Sequence, residues 1–426
     1  DKNIIFDEKL DLEVFKDKLS YFYYAKLMYS PETCPCCGCD NVNYRIIKTG
    51  TKLSRISLPK VSERPTYLML RKQRFYCKAC ERYFTAETPE VDKHCFISNN
   101  SRMAMIDKAT QIRSELSIAK SCSVSSTTVS RMIDRAAHAL YQSPYAALPE
   151  HLMMDEFKSV KHVSGRMSFI YADAETHRIV DVVEDRRLKS LKQYFYRFSL
   201  KDRQNVKTVS IDMHESYMTL IKELFPNAKI IIDRFHIIQL LNRSLNRVRV
   251  STMNDMKNIN RPLYNKYKRY WKLLLTPIED LNVFEYNKVP LFKSWQTQKG
   301  IVHYLLDQDE TLKDTHQIIN QLRYQLKYND INGFIETLTS VNLSDVHQTL
   351  KPAIRTLKRH MGFIQNTFSY INLSNGPLEG INNKVKLIKR TSFGYRNYDH
   401  LRNRIHLCSK LYAPTFKKEV KQNLVA

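Results

Sequence analysis

The chain has 426 residues, enough for two or three domains with cores of their own, and a hydrophobic fraction of 43%, ordinary for a globular protein. With 68 Lys and Arg against 43 Asp and Glu, the formal net charge is +25, which favours a polyanionic partner and salt-sensitive binding. The apolar runs fall far short of the ~20 residues of a membrane span, and the charged N-terminal stretch has no signal-peptide core, so membrane attachment and secretion are not expected.

Residues 1–30 mix charge and apolar side chains and are expected to form an amphipathic helical lead-in. Residues 31–95 follow as a zinc-ribbon-like module. Cys34-Pro35-Cys36-Cys37-Gly38 and Cys77-Lys78-Ala79-Cys80 supply a CxxC knuckle at each end, and two such turns complete a tetrahedral Zn2+ site, one per chain. Cys36 and Cys39 are also spaced CxxC, so the register is open. Cys34 and Cys37 are preferred because Gly38 then follows the second ligand. A module this small could hardly fold without its metal. Between the knuckles, "TYLMLRKQRFYC" alternates like a β-strand and offers Arg71, Lys72 and Arg74 to phosphates. Cys95, Cys122 and Cys408 stand alone and read as core or surface thiols.

Residues 96–142 have the layout of a helix-turn-helix. A helix carrying Leu116, Ile118 and Ala119 leads into a Ser-rich turn, then a second helix that packs through Val129, Met132 and Ile133. Its outer face would present Ser126, Thr127, Thr128, Ser130 and Arg131 to DNA. Any small trihelical bundle would show a similar pattern, so its place in a +25 chain carries weight. The Pro-containing segment 142–151 is the expected linker.

From Leu152 the order is three strands, a helix, a strand, a helix and a strand, as in a ribonuclease-H-like fold. Asp155 falls on the first of these strands and Asp212 at the end of the fourth, on apolar runs where an unpaired carboxylate is costly. Glu379 opens a Lys-rich helix after Asn375-Gly376-Pro377, where the helix dipole favours its ionised form; a plain capping role is the alternative. Asn383, Lys386 and Arg390 follow on the same side and could contact backbone phosphates. Two strand carboxylates and one on a helix can hold two Mg2+ (or Mn2+) ions that clamp the attacking and leaving oxygens of a phosphodiester. Glu156 should point away from Asp155, since strand residues alternate. Asp173, Asp181, Glu184 and Asp185 are expected at the surface. Asp233 and His236 form a DxxH step at a strand end, suited to tuning the metal site, positioning a phosphate or simply linking strand to helix.

Asp212 and Glu379 are too far apart in sequence for an uninterrupted core, so residues 237–370 are read as an all-helical insertion with an internal core. Within it Arg243, Arg247, Arg249, Arg355 and Lys358 could line a DNA channel. The core would then comprise residues 150–236 and 371–426. The expected fold class is multidomain α+β: zinc module, helix-turn-helix, then a ribonuclease-H-like catalytic domain with a helical insertion.

The combination of "CPCCG…CKAC", "MMDEF", "SIDMHESY", "IIIDRFHII" and "NLSNGPLEGINNKVKLIKRTSFGYRNYDHLRNRI" resembles transposases of the ISL-three insertion-sequence family, over nearly the whole chain. The resemblance implies a DDE transposase with Asp155, Asp212 and Glu379 as its metal-binding acids, and Asp233 and His236 as a DxxH signature. It also implies terminal inverted repeats and target DNA as partners and a homodimer on DNA, with no nucleotide cofactor, in the bacterial cytoplasm at the nucleoid. Hydrolysis at the element's end would free a 3′-OH, which then attacks target DNA directly. A domesticated, non-cutting regulator and a stand-alone nuclease are the competing readings.

Overall fold

The structure is a computed structural model that describes residues 1–140 and 147–413; the first half of the expected linker, 142–146, lies outside them. The chain forms two compact units. One holds residues 1–140 with Val160–His162 and Lys384–Lys410, and the other holds 147–159, Val163–Asn383 and 411–413. Among the described residues no helix is long and apolar enough to cross a membrane.

The first unit opens on a sheet, and the expected helical lead-in is absent. Strands β1 (Ile4–Phe15) and β2 (Lys18–Leu27) form a hairpin, joined through Lys16 and Asp17 at φ 50° and 60°. Two positive φ angles in a two-residue loop match the twist of the flanking strands. Leu10, Leu12 and Val14 repeat at period two, so the apolar pattern is that of a strand. Strand β3 (Ile46–Val61) turns back through Ser62 and Glu63, again at positive φ, into β4 (Arg64–Cys77), and β5 (Arg82–Thr85) pairs with β4. The order is β1-β2-β4-β3, with β2 and β4 parallel. Leu27, Ile56, Leu70 and Phe75 fill its core together with Cys34 and Cys77. Helices α1 (Asn99–Thr110), α2 (Glu115–Cys122) and α3 (Ser126–Leu140) follow.

The second unit contains β6 (His151–Lys158), β7 (Met167–Asp173), β8 (Ile179–Val183), α4 (Leu188–Phe195), α5 (Leu200–Gln204), β9 (Thr208–Ile211), α6 (Glu215–Leu224) and β10 (Lys229–Ile232). The sheet order is β10-β9-β6-β7-β8. β6, β7 and β8 are antiparallel neighbours, while β6, β9 and β10 are parallel. Asp173 and Asp181 correct the expectation of surface acids, being buried at 4% and 0% exposure. Strand β8 is buried along its whole length, so alternation exposes neither face. Asp181 instead accepts hydrogen bonds from the Tyr194 hydroxyl (2.5 Å) and from its neighbour's backbone N–H.

After β10 come α7 (Arg234–Asp255), α8 (Arg261–Arg269), α9 (Trp271–Leu275), the two-residue strands β11 (Asn287–Lys288) and β12 (Trp295–Gln296), α10 (Gln298–Leu306), α11 (Glu310–Lys327), α12 (Ile331–Ser340), α13 (Lys351–Arg359) and α14 (Met361–Ser369). This stretch is therefore not all helical, nor is its core separate. One apolar cluster joins Leu152, Val209 and Ile232 of the sheet to Leu241, Leu322 and Ile354 of the helices. Helix α14 also covers the sheet edge. Thr367 Oγ1 exchanges hydrogen bonds with Ile232 N and O, and Asn366 Nδ2 donates to Ile230 O (2.9 Å). Polar side chains thus satisfy backbone groups that an edge strand would otherwise expose.

The chain ends in α15 (Gly376–Thr391) and α16 (Tyr398–Leu407). Leu407 joins Met105, Ile118, Val129 and Ile133 in the core of the α1–α3 module. Arg404, 1% exposed, donates from Nη2 to the Gln111 and Arg113 carbonyls at 3.1 and 2.8 Å. Residues 384–410, expected in the catalytic core, belong instead to the unit that holds the helix-turn-helix.

Candidate functional sites

The four cysteines come together as the knuckle spacing requires. The Sγ atoms of Cys34, Cys37, Cys77 and Cys80 all lie within 4.8 Å of one another. The Cys34–Cys80 and Cys37–Cys77 separations are both 3.8 Å, as expected at about 3.8 Å for a tetrahedron of ~2.3 Å Zn–S bonds. Cys36 stands outside the four-thiol group, whereas Cys37, equally exposed, belongs to it. Cys39 approaches Cys77 to 3.4 Å but stands outside the four-thiol group. The Cys80 N–H aimed at its sulfur draws the Cys77 thiol down to about 6, which favours the thiolate a metal needs. These residues fit zinc.

Of the ribbon's basic residues, Arg71 and Arg74 are exposed, whereas Lys72 is half-buried and burial lowers its pKa. In the helix-turn-helix, Ser114 caps α2, Ser123 takes the left-handed conformation at its end, and Ser125 Oγ accepts from Thr128 N (3.2 Å) to start α3. Ser126, Thr127 and Arg131 are exposed as expected. Thr128 is half-buried and its hydroxyl pairs with Ser125. The inner side of α3 rests on α16, where His400 Nε2 lies 2.6 Å from Glu115 and Nδ1 lies 2.8 Å from Asp134. Burial disfavours the imidazolium, but the hydrogen bonds to Glu115 and Asp134 outweigh it and raise the pKa. This stabilisation is complete below the unfolded value of about 6.5 and is lost as pH rises through the higher folded value. His400→Gln should therefore lower Tm at pH 6, and the gap to wild type should close by pH 9 in thermal melts. A gap that does not vary with pH would sink the charged bridge.

The acids gather at the junction of β6 and β9. Their register pairs Leu152 with Val209 and Met153 with Ser210. Continued two residues, it brings Asp155 level with Asp212. Burial pushes the Asp155 carboxyl up to about 6; the Asp212 charge reinforces this, against the Glu156 N–H and the His236 charge. Asn382 Nδ2 donates to Asp155 Oδ2 (2.5 Å), and Asn375 Nδ2 donates to the Met154 carbonyl (2.9 Å). Asn375 also offers its own carbonyl to the N–H groups of Leu378 and Glu379, so it starts α15 and pins it to β6. His236 Nε2 lies 2.6 Å from Asp212 Oδ1. That oxygen is shielded from solvent, with the imidazole as its close partner. The contact with Asp212 raises the His236 pKa. Asp233 caps α7 by accepting from Phe235 N (3.3 Å), and burial raises its carboxyl, helped by the charges of Asp212 and Glu379.

Asp155, Asp212 and His236 line one cavity of about 530 Å3 whose apolar walls include Phe169, Phe195, Leu220 and Phe225. Asp233 and Glu379 do not line it. Glu379 is exposed in the first turn of α15, on the face that also carries Asn383, Lys386 and Arg390. Among the described residues no three carboxylates close to ion-binding distance; only the cysteines do. The donor set still suits a divalent cation, since Asp155 and Asp212 offer hard carboxylate oxygens to one cavity. Glu156, expected to point away from Asp155, lines the same cavity, with its carboxylate held by the Tyr217 hydroxyl and the Arg186 guanidinium. Two of the expected channel residues are otherwise engaged. Arg249 is buried against the Tyr267 carbonyl, and Lys358 holds the Val341 carbonyl. Sequence reasoning missed Asn375 and Asn382. The signal for Asn382 was its place on the buried stripe of Leu378, Val385 and Ile388.

A four-thiol site and paired strand aspartates in a basic chain suit a DNA-processing enzyme, and comparison with known proteins places this one. Residues 152–405 match a family described as transposase, and residues 30–80 match one described as the zinc-finger of transposase IS204/IS1001/IS1096/IS1165. The chain belongs to the ISL-three transposase family, which implies DNA as its partner. It is 22% identical over 361 residues to the transposase for insertion sequence element IS1001 of Bordetella parapertussis, covering 82% of this chain and 83% of that protein. A shorter match, 33% identical over 110 residues, is to an ATP-dependent protease of Lactococcus lactis subsp. lactis, and covers 26% of this chain and 34% of that one.

Proposed function

We propose that this chain is a DDE transposase that binds the terminal inverted repeats of its element, cuts there and joins the freed end to target DNA. The observation that carries the reading is the pair Asp155 and Asp212, level on adjacent parallel strands at the rim of one cavity. The strand order β8-β7-β6-β9-β10 supports a ribonuclease-H-like core, with the helices between Asp233 and Asn375 as its insertion. Asp155, Asp212 and Glu379 would hold two Mg2+ or Mn2+ ions, which when bound supply Lewis-acid stabilisation of the attacking and leaving oxygens. Asn382 orients the Asp155 carboxylate, and His236 holds Asp212 while partly balancing the charge of the metal-free acids. Asp233 sets the start of α7 and so the place of His236. Arg71, Arg74, Ser126, Thr127 and Arg131 would contact repeat DNA, and Asn383, Lys386 and Arg390 the strand near the cut. Pairing two ends calls for a homodimer on DNA, in the bacterial cytoplasm at the nucleoid.

The test is incubation of labelled DNA from the gene's own flanks with Mg2+ or Mn2+, wild type beside Glu379→Gln. Metal-dependent nicks at one position, followed by joined products and both lost in the variant, are expected. Tight binding without cutting in either protein would favour a regulator. Cutting without joining would favour a stand-alone nuclease.

A further inference from the structure

Helix α7 starts at the acid site and carries a polar face away from it. Phe235, Gln239, Asn242, Arg243 and Asn246, with the aliphatic Ile238 and Leu275, line a second hollow of about 270 Å3. Gln239 and Arg243 also line the cavity that holds Asp155 and Asp212, so the two hollows meet at these side chains. From His236 to Arg243 is about 10 Å along the helix, or roughly three base steps of a duplex.

The chemistry of this hollow is specific. Phe235 is 49% exposed, with its ring edge-on to His236 at 5.4 Å. Asn246 Oδ1 accepts from Nε of the buried Arg249 (2.9 Å), which assigns the Asn246 NH2 the role of donor. Asn242 offers the complement. Its Oδ1 has no hydrogen-bond donor among the described residues, and because that atom is closed to solvent the half-buried side chain must turn for a base to reach it, which relieves the cost of the unmade bond. An acceptor and a donor four residues apart share one side of a helix. Together they match an exocyclic amine beside a ring nitrogen, the edge that adenine and cytosine present. An exposed ring stacks on any base, and a guanidinium suits phosphate.

We infer that this hollow takes one unstacked adenine or cytosine from the strand being cut, with Phe235 on its face, Asn242 and Asn246 at its edge and Arg243 on the adjoining phosphate. The inference rests on the reading of Asp155 and Asp212 as the cutting site. Unpairing costs least at a mismatch, so a mismatch at the extruded position should tighten binding.

The experiment maps the cut, then measures binding of the full-length protein, without added divalent metal, to fluorescent duplexes copied from the gene's flanks. Each duplex carries a mismatch at one of the nucleotides within about three steps of the cut. One position should show about tenfold tighter binding and a preference for A or C; Phe235→Ala should remove the gain and Phe235→Trp should keep it. No gain at any position, or a gain that survives Phe235→Ala and Asn242→Leu, overturns the pocket. If the wild type cuts, Asp155→Asn does not and no gain is seen, the pocket alone fails. Cutting that persists in Asp155→Asn takes the acid site down as well.

Discussion

Asp155→Asn is expected to lower DNA cutting by at least ~10^3-fold, leave end binding unchanged and raise Tm at neutral pH. The loss follows from charge, because the amide keeps the side chain's shape but supplies a poor ligand for a hard divalent ion. The gain follows from burial. The folded protein holds the Asp155 proton up to about pH 6, against an ordinary value of 3.8. A carboxyl with a raised folded pKa favours the native state below its unfolded value, and that benefit disappears as pH rises through about 6. At pH 7 the metal-free protein therefore carries a buried charge that costs up to about 3 kcal/mol, and the Asn variant does not. The Tm difference should vanish near pH 4. Asp212→Asn should lose cutting to the same degree without the stability gain, since it deprives His236 of its partner at 2.6 Å. Paired assays of cutting and melting separate the two. An Asp155→Asn protein that cuts normally is not consistent with this site, and one that melts lower than wild type at pH 7 contradicts the burial argument.

What the sequence made legible was set by local spacing. Two CxxC steps announced the thiol cluster, and Asp155 and Asp212 could be placed because each sits on a short apolar run between turns. What stayed hidden depends on distant packing. Asn382 reads as a polar helix residue until α15 is laid against β6, where it becomes the partner of Asp155. Arg404 and His400 look like surface charges of a basic tail, yet α16 returns them to the helix-turn-helix more than 250 residues earlier in the chain. The first strands were misread for a simpler reason: Lys16-Asp17 lacks the glycine that usually marks a two-residue turn. Asp181 was misjudged because alternation exposes a face only when one side of the sheet is bare.

Cys77→Ser should bring zinc from one ion per chain to nearly none, and it should loosen the two knuckles before the sheet that carries them. Structural zinc contributes on the order of 10 kcal/mol in small modules. Here, however, β4 is also held between β2 and β3 over a well-filled core, so loss of the metal need not melt the whole unit. Proteolysis should therefore cut first within residues 31–45 and 78–86. Binding to end DNA should fall at least tenfold, because Arg71 and Arg74 precede Cys77 on the same strand and lose their fixed setting. The zinc register can be tested in the same assay. Cys36→Ser removes an exposed thiol and should keep a full complement of zinc. Cys39→Ser removes the thiol 3.4 Å from Cys77 and should also keep it, since the tetrahedron is already complete with Cys34, Cys37, Cys77 and Cys80. If Cys39→Ser empties the site while Cys37→Ser does not, the ion is held in the alternative register, and the Cys37–Cys77 approach is a neighbour's contact rather than an edge of the coordination tetrahedron.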